Sequence, residues 1–371
     1  MEKLSEDHAM VAEAAAGFLA QNHPVAAFRA LRDSGAPLGY DRAIVGQMAG
    51  MGWMGVVLPE DLGGVNFGHR AAGLIAGAMG RNLTAAPFLS TAVIGASVLK
   101  HAGGPVAESW GPKLAAGEAV VALAMEEGAK HRPDRIATEA RREGDGFVLN
   151  GRKSFVVDGV GADRLIVVAT LDDAPALFWV DPTAAGVTVV PQVLLDHRNA
   201  ALVTFEGVGL DGAALIAGRE NARAVLAAAL AAGRAVTAAE QLGVARAAAE
   251  ATFDYLRTRK QFGMLIGSFQ ALQHRAADLY CAIEQTDSLA AAALNALDQG
   301  ADEGEALSRA AKARAALVGR QATEEGVQMH GGIGMTDEMD LGLFMKRDRA
   351  LSEFLGDAGH HTDWLLRQRG L

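Results

Sequence analysis

Arg259, Gln328 and the Gly331-Gly332 pair are residues whose types and spacing suit the recognition of an anionic ligand. Arg259 stands at the end of a long apolar stretch of helical spacing, just before Gly263, where a planar guanidinium can fork onto an anion. Gln328 offers both a donor and an acceptor, and the glycine pair lets a ligand come close to bare backbone. Taken alone, these positions also read as solvated helix residues, Gln270 among them, followed by a glycine helix cap. His330 reads as a packing or capping residue. His360-His361 has no carboxylate or cysteine at ligand spacing, so no metal site is expected. Gly331-Gly332-Ile333-Gly334 follows a helix, not a strand, and is not a dinucleotide-binding loop of the strand-first kind.

The elements that must position these residues fall into three regions. Residues 1–117 read as a helical domain, with helical spacing over Leu4–Leu19, Tyr40–Met51, Leu74–Met79 and Ser90–His101 and a Gly- and Pro-punctuated loop over Gly52–Gly64. Residues 118–218 read as an antiparallel β-domain or barrel, in which Asn150-Gly151 is expected to turn a two-residue hairpin between two short strands. Residues 219–371 read as an up-and-down bundle of four long helices, Ala222–Arg257, Phe269–Leu297, Glu303–Met329 and Leu341–Leu366. The fold class is α+β. With 371 residues there is length for more than one domain.

Net charge is −10, from 34 basic and 44 acidic side chains, and no basic cluster stands out. Nucleic acid is therefore not the expected partner, since phosphate binding needs a concentrated basic face. The first twenty residues mix Glu2, Lys3, Glu6, Asp7 and Glu13 with alanines, unlike a signal peptide. No run of about 18 uncharged apolar residues occurs, so no membrane span is expected and the cytoplasm is the default location. The single cysteine, Cys281, rules out an internal disulfide and, in an apolar helical stretch, reads as a buried structural thiol.

Four strings, in order along the chain, resemble those of the acyl-CoA dehydrogenase family. Gly52 to Gly64 resembles its G-W-x-G-x-x-x-P-E-x-x-G-G loop, and Leu149 to Gly159 its L-N-G-x-K-x-[WF]-I-[TS]-x-G segment. Arg259 to Gln270 resembles R-x-Q-F-G-x-x-I-x-x-x-Q, and Gln328 to Gly334 resembles Q-x-x-G-G-x-G. The resemblance implies a flavoprotein that removes an α-proton and a β-hydride from an acyl-CoA thioester and passes electrons to an electron-transfer flavoprotein. It implies that Arg259, Gln261, Phe262, Gln270, Gln328, Gly331 and Gly332 contact the ADP half of an FAD held mainly by a neighbouring subunit. It also implies that Ala124, Met125, Phe155 and Val157 flank the flavin ring, and that Arg234 shapes the acyl pocket. Met125 and Val157 replace hydroxyl-bearing residues of the family pattern.

The resemblance also locates two positions for the catalytic base, and neither carries a carboxylate. One falls on Leu355, in Phe354-Leu355-Gly356-Asp357, and the other on Gly233, one residue before Arg234. Asp357 is the candidate for a relocated base, ahead of Glu353. The other expectation is that the chain forms a homo- or heterotetramer with a paralogous subunit that supplies the base, or that it is a non-catalytic partner completing the FAD site of an active paralogue. Small residues over Ala227–Ala232 and at Ala238-Ala239 are expected to leave room for a bulky acyl group.

Overall fold

The computed structural model describes residues 4–371; Glu2 and Lys3, used above in reading the N-terminus, lie outside the described residues. The chain divides into two compact units. One comprises the chain up to Arg29, Gly73–Thr84 and Arg234–Leu371; the other comprises Ala30–Ala72 and Ala85–Gly233.

The first unit is helical. It contains α1 (Glu6–Asn22), most of α4 (Gly68–Asn82), and the long helices α8 (Gln270–Asp298) and α9 (Gly304–His330). It also holds the shorter α10 (Leu341–Glu353) and α11 (Ala358–Gln368). The boundary between the units falls inside α7 (Ala222–Thr258) and inside α2 (Val25–Ser34). Ser5 caps α1, its hydroxyl accepting from the His8 amide at 3.2 Å. α9 packs against α8, α10 and α11. α7 and α4 approach until a Cβ on Gly80 would fall 2.1 Å from the Glu240 carbonyl oxygen and one on Gly243 would fall 2.0 Å from that of Gly77. Gly77, Gly80 and Gly243 thus let the two helix backbones approach closely. By length and composition α7 could cross a membrane, but 78% of its apolar window is buried in the fold.

Two sequence expectations fail in this unit. Leu341–Leu366 is two helices, not one, because Leu355 and Gly356 take φ of 58° and 104° and break the chain between α10 and α11. Cys281 is exposed rather than buried. The buried stripe of α8 runs through Leu279, Ala282, Ile283 and Thr286, and residue 281 falls off it.

The second unit joins short helices to a mixed sheet. The helices are α3 (Ala43–Gly50), a π-helical turn over Phe88–Gly95 leading into α5 (Ala96–Ala102), and α6 (Gly104–Ala115). Gly52–Gly64 folds as two short 3-10 turns, Trp53–Gly55 and Glu60–Leu62, rather than as plain loop. The strands are β1 (Val121–Ala124), β2 (Glu139–Glu143), β3 (Gly146–Val157) and β4 (Arg164–Leu171), then β5 (Ala174–Val180), β6 (Val187–Pro191), β7 (Ala200–Leu210) and β8 (Leu215–Ala217). Their order is β6-β7-β3-β2-β4-β5-β8, with β1 joined to β4. Pairing is antiparallel except for β1 with β4 and the single bridge of β2 to β4. The core includes Leu149, Val167, Phe178, Val203 and Phe205, and Phe147 meets Phe178 edge-on at 5.2 Å.

The expected hairpin at Asn150-Gly151 does not form. β3 runs through both residues, and the turn lies earlier, between β2 and β3, where Gly144 has φ of 55°. Asn150 Oδ1 instead accepts the Gly207 amide at 2.7 Å, and a Cβ on Gly151 would fall 2.6 Å from Thr138 Oγ1. The Asn-Gly pair therefore marks a bulge against β7 and a close approach of backbone, not a chain reversal.

Candidate functional site

In the helical unit the residues expected to bind an ADP group lie on exposed surface. Arg259 follows the C-terminus of α7, its amide donating to the Tyr255 carbonyl at 2.8 Å, and its guanidinium has no ion-pair partner among the described residues. The next residues form a two-residue hairpin, β9 (Lys260–Gln261) paired with β10 (Met264–Leu265). Phe262 and Gly263 at its tip both have positive φ, 54° and 79°, the geometry of a primed hairpin turn. The turn lifts Phe262 out until 91% of it is exposed, although its ring still meets Phe269 edge-on. Gln270 opens α8 and is exposed, as is Gln328 near the end of α9.

Gly331 caps α9 with φ 66° and ψ −140°, a region open essentially to glycine alone. Gly332 is different. Nothing lies within 4 Å of where its Cβ would stand, so the chain itself gives no reason for glycine there. A group from outside the chain that comes close to the backbone would give one. Beneath this surface His330 is buried, its Nδ1–H donating to the Gly326 carbonyl at 2.7 Å and its ring stacked 4.2 Å from Tyr255.

In the other unit the residues expected at a flavin ring share one strand end. Ala124 closes β1 opposite Val167 of β4, and Met125 follows it, both side chains buried. This end is tied to β3: the Ser154 amide donates to the Glu126 carbonyl at 2.7 Å, and Lys153 Nζ donates to the Met125 carbonyl at 3.2 Å. Lys153 is fully buried and ion-paired to Glu127 at 2.7 Å, while Glu127 also accepts the Thr138 amide at 2.8 Å. Burial pushes the Lys153 ammonium below its usual range and Glu127 opposes that shift. The clamp sets Phe155 beside the same strand end in a left-handed conformation, φ 51°, its amide donating to Gln192 Oε1 at 2.8 Å. Phe155 is partly exposed and free to cover a flat ligand, and Val157 ends the strand. These side chains are apolar, so a ring bound here would take its hydrogen bonds from backbone amides.

The position assigned to the base lies in the α10–α11 turn. Leu355 is buried and left-handed. Asp357 is the N-cap of α11, and its Oδ1 accepts the His360 amide at 2.8 Å. Glu353, in the last turn of α10, is salt-bridged to Arg349 at 2.8 Å. Arg234 is fully buried on α7, Nε donating to Ser308 Oγ at 3.3 Å, and burial with the nearby Arg309 pushes its guanidinium down to about 9.

A set of buried polar residues around this turn escaped the sequence reading. Lys312 on α9 is fully buried, and its ammonium donates to the carbonyls of Ser352 at 3.2 Å and Gly356 at 3.3 Å. It thereby fixes the turn that carries Leu355. Burial lowers its pKa to about 8. Asp348 is buried beside it, accepts from Gln241 Nε2 at 2.9 Å, and is lifted by burial to about 7. His361, also buried, is held neutral far below the ordinary imidazole range by burial and the surrounding cations. The signal was present in α9: Ser308, Lys312, Ala315, Gly319 and Ala322 recur at helical spacing, which puts the lysine on the buried stripe.

Comparison with known proteins identifies the family. Residues 5–118 match the family model for the acyl-CoA dehydrogenase N-terminal domain, and residues 223–368 match that for the C-terminal domain. Acyl-CoA dehydrogenase FadE12 of Mycobacterium tuberculosis is 30% identical over 311 residues, covering 81% of this chain and 80% of its own. Acyl-CoA dehydrogenase IpdE2 of the same organism is 29% identical over 353 residues, covering 94% and 93%. Among solved structures, a Tcur3481-Tcur3483 steroid ACAD variant superposes with a TM-score of 0.88 at 29% identity, covering 97% and 96% of the two chains. The chain belongs to the acyl-CoA dehydrogenase family, the FAD-dependent oxidoreductases that act on acyl-CoA thioesters.

Proposed function

We propose that this chain is one subunit of a hetero-oligomeric acyl-CoA dehydrogenase, lending half of an FAD site to a paralogous partner that supplies the catalytic base. The observation that carries the reading is the turn between α10 and α11. Leucine stands at the usual base position, and Asp357, the candidate for a relocated base, caps α11. The exposed set Arg259, Gln261, Phe262, Gln270, Gln328, Gly331 and Gly332 would hold the ADP half of the cofactor, with Arg259 forking onto its pyrophosphate. Phe262, Met264, Leu265, Ile333 and Met335 are exposed apolar residues near it in sequence, and a neighbouring subunit would cover them. Ala124, Met125, Phe155 and Val157 would flank a ring, with Lys153 and Glu127 holding their backbone. The bound flavin would supply the hydride acceptor, and an electron-transfer flavoprotein would reoxidise it. The two-component name of the Tcur3481-Tcur3483 relative supports the heteromeric reading.

The test is Asp357→Asn in the assembly made with its partner. Asparagine also caps helices, so the fold is retained. The reading expects kcat within about twofold of wild type. A loss of about 100-fold or more, the scale of a removed general base, would make Asp357 the base and the chain catalytic in its own right.

A further inference from the structure

We propose that Arg234, Arg309 and His361 form a buried carboxylate site inside the helical unit, which receives a carboxylate carried on the acyl group of the thioester. The source of that carboxylate rests on the acyl-CoA dehydrogenase reading above; the site itself rests on geometry and charge.

Three helices build it. Arg234 comes from α7, Arg309 from α9 and His361 from α11. Both guanidiniums turn toward the same carboxylate oxygen. Glu305 Oε1 accepts from Arg309 Nε at 3.2 Å and Nη2 at 2.9 Å, and it lies 3.6 Å from Arg234 Nη2. Arg309 is held in place by Trp364, whose ring centroid is 4.3 Å from its guanidinium carbon.

The charges do not balance. Arg234, Arg309 and Lys312 bring three cationic groups to one interior region, and buried charges are normally paired. Glu305 answers one of them and is itself partly exposed. Asp348 is pushed toward its neutral form, and Lys312 is otherwise satisfied by neutral carbonyls. Of the remaining acids on these elements, Glu353 is paired with Arg349 and Asp357 caps α11. With Glu305 ionised and Asp348 neutral, three cations face one carboxylate and the surplus is about two positive charges.

The hydrogen bonds do not balance either. Arg234 Nη2, Arg309 Nη1 and the ring nitrogens of His361, one a donor and one an acceptor in the neutral ring, are buried and make no hydrogen bond among the described residues. The three side chains are 1%, 9% and 0% exposed. Unpaired buried donors are rare, and here several belong to one charge-deficient cluster. A group that brings one negative charge and two acceptor oxygens fits a pair of guanidinium forks.

The test measures binding to the flavin-loaded assembly by titration calorimetry, using adipyl-CoA, hexanoyl-CoA and free adipate. Adipyl-CoA is expected to bind at least about tenfold more tightly than hexanoyl-CoA, the scale of a hydrogen bond to a charged group. Arg309→Gln should remove that preference and leave hexanoyl-CoA affinity unchanged. Arg309→Lys, which keeps the charge and loses the fork, guards against misfolding and should retain part of the preference. If the thioesters bind equally but adipate binds wild type and not Arg309→Gln, the site takes a free carboxylate and the acyl source is overturned. If hexanoyl-CoA binds and neither adipate nor the extra carboxylate matters, the site is refuted and the acyl-CoA reading survives. If adipate binds and neither thioester does, the site stands and the acyl-CoA reading falls. Binding by none of the three refutes both.

Discussion

Replacing Asp348 by asparagine asks whether burial or an ion pair governs the acid at the centre of the helical unit. Asp348 is 3% exposed and accepts from Gln241 Nε2 at 2.9 Å. Burial raises its pKa from 3.8 to about 7, against the opposing pull of Gln241, Lys312 and Arg349. Between those two values the folded chain keeps a proton that the unfolded chain has released. Stability therefore falls as pH rises from about 4 to 7 and levels off above. A shift of about 3 units corresponds to roughly 4 kcal/mol in all, of which about 2.5 kcal/mol develops between pH 5 and 8. The amide variant lacks that loss. Its unfolding free energy relative to wild type should grow by about 2 kcal/mol from pH 5 to pH 8, after some discount for solvent relaxation. Comparing the two pH values cancels any fixed cost of the new amide group. Urea unfolding at both pH values reads the difference. A constant difference would refute the burial argument, and a variant that weakens as pH rises would show that pairing with Lys312 dominates.

Three further outcomes follow from particular contacts. Gly80→Ala should destabilise by about 1–3 kcal/mol in thermal unfolding, because its Cβ would meet the Glu240 backbone at 2.1 Å. Lys153→Met strands Glu127 and frees the Met125 carbonyl, which should cost about 3 kcal/mol in urea unfolding. Gly332→Ala should leave the stability of the chain within about 0.5 kcal/mol, since nothing lies within 4 Å of the new methyl group. In the co-expressed assembly, however, it should lower the flavin bound per complex.

The order of helices, sheet and helices was legible because periodicity changes sharply near residues 118 and 220. What was misread turns on tertiary partners. Asn150-Gly151 looks like a turn until β7 and Thr138 are seen to claim both residues. The last helix looks continuous because Leu355 has no local reason to turn left-handed; Lys312, 43 positions earlier, holds the carbonyl that follows it. The exposed candidate set around Arg259 and Gln328 could be located from motif spacing, since its placement depends on local helix ends and one hairpin. Arg309, Lys312, Asp348 and His361 could not be grouped, because they come from three helices and each alone resembles a surface charge. Leucine at position 355 could be read from the motif, while the capping role of Asp357 needed the break between α10 and α11.

The most direct test of the account is the visible absorption of the protein purified alone and after co-expression with a paralogous acyl-CoA dehydrogenase chain. The account predicts a colourless single chain and a complex that binds flavin in a fixed ratio, with binding weakened by Arg259→Gln on this chain. A single chain that binds one flavin per subunit and dehydrogenates acyl-CoA unaided would contradict it.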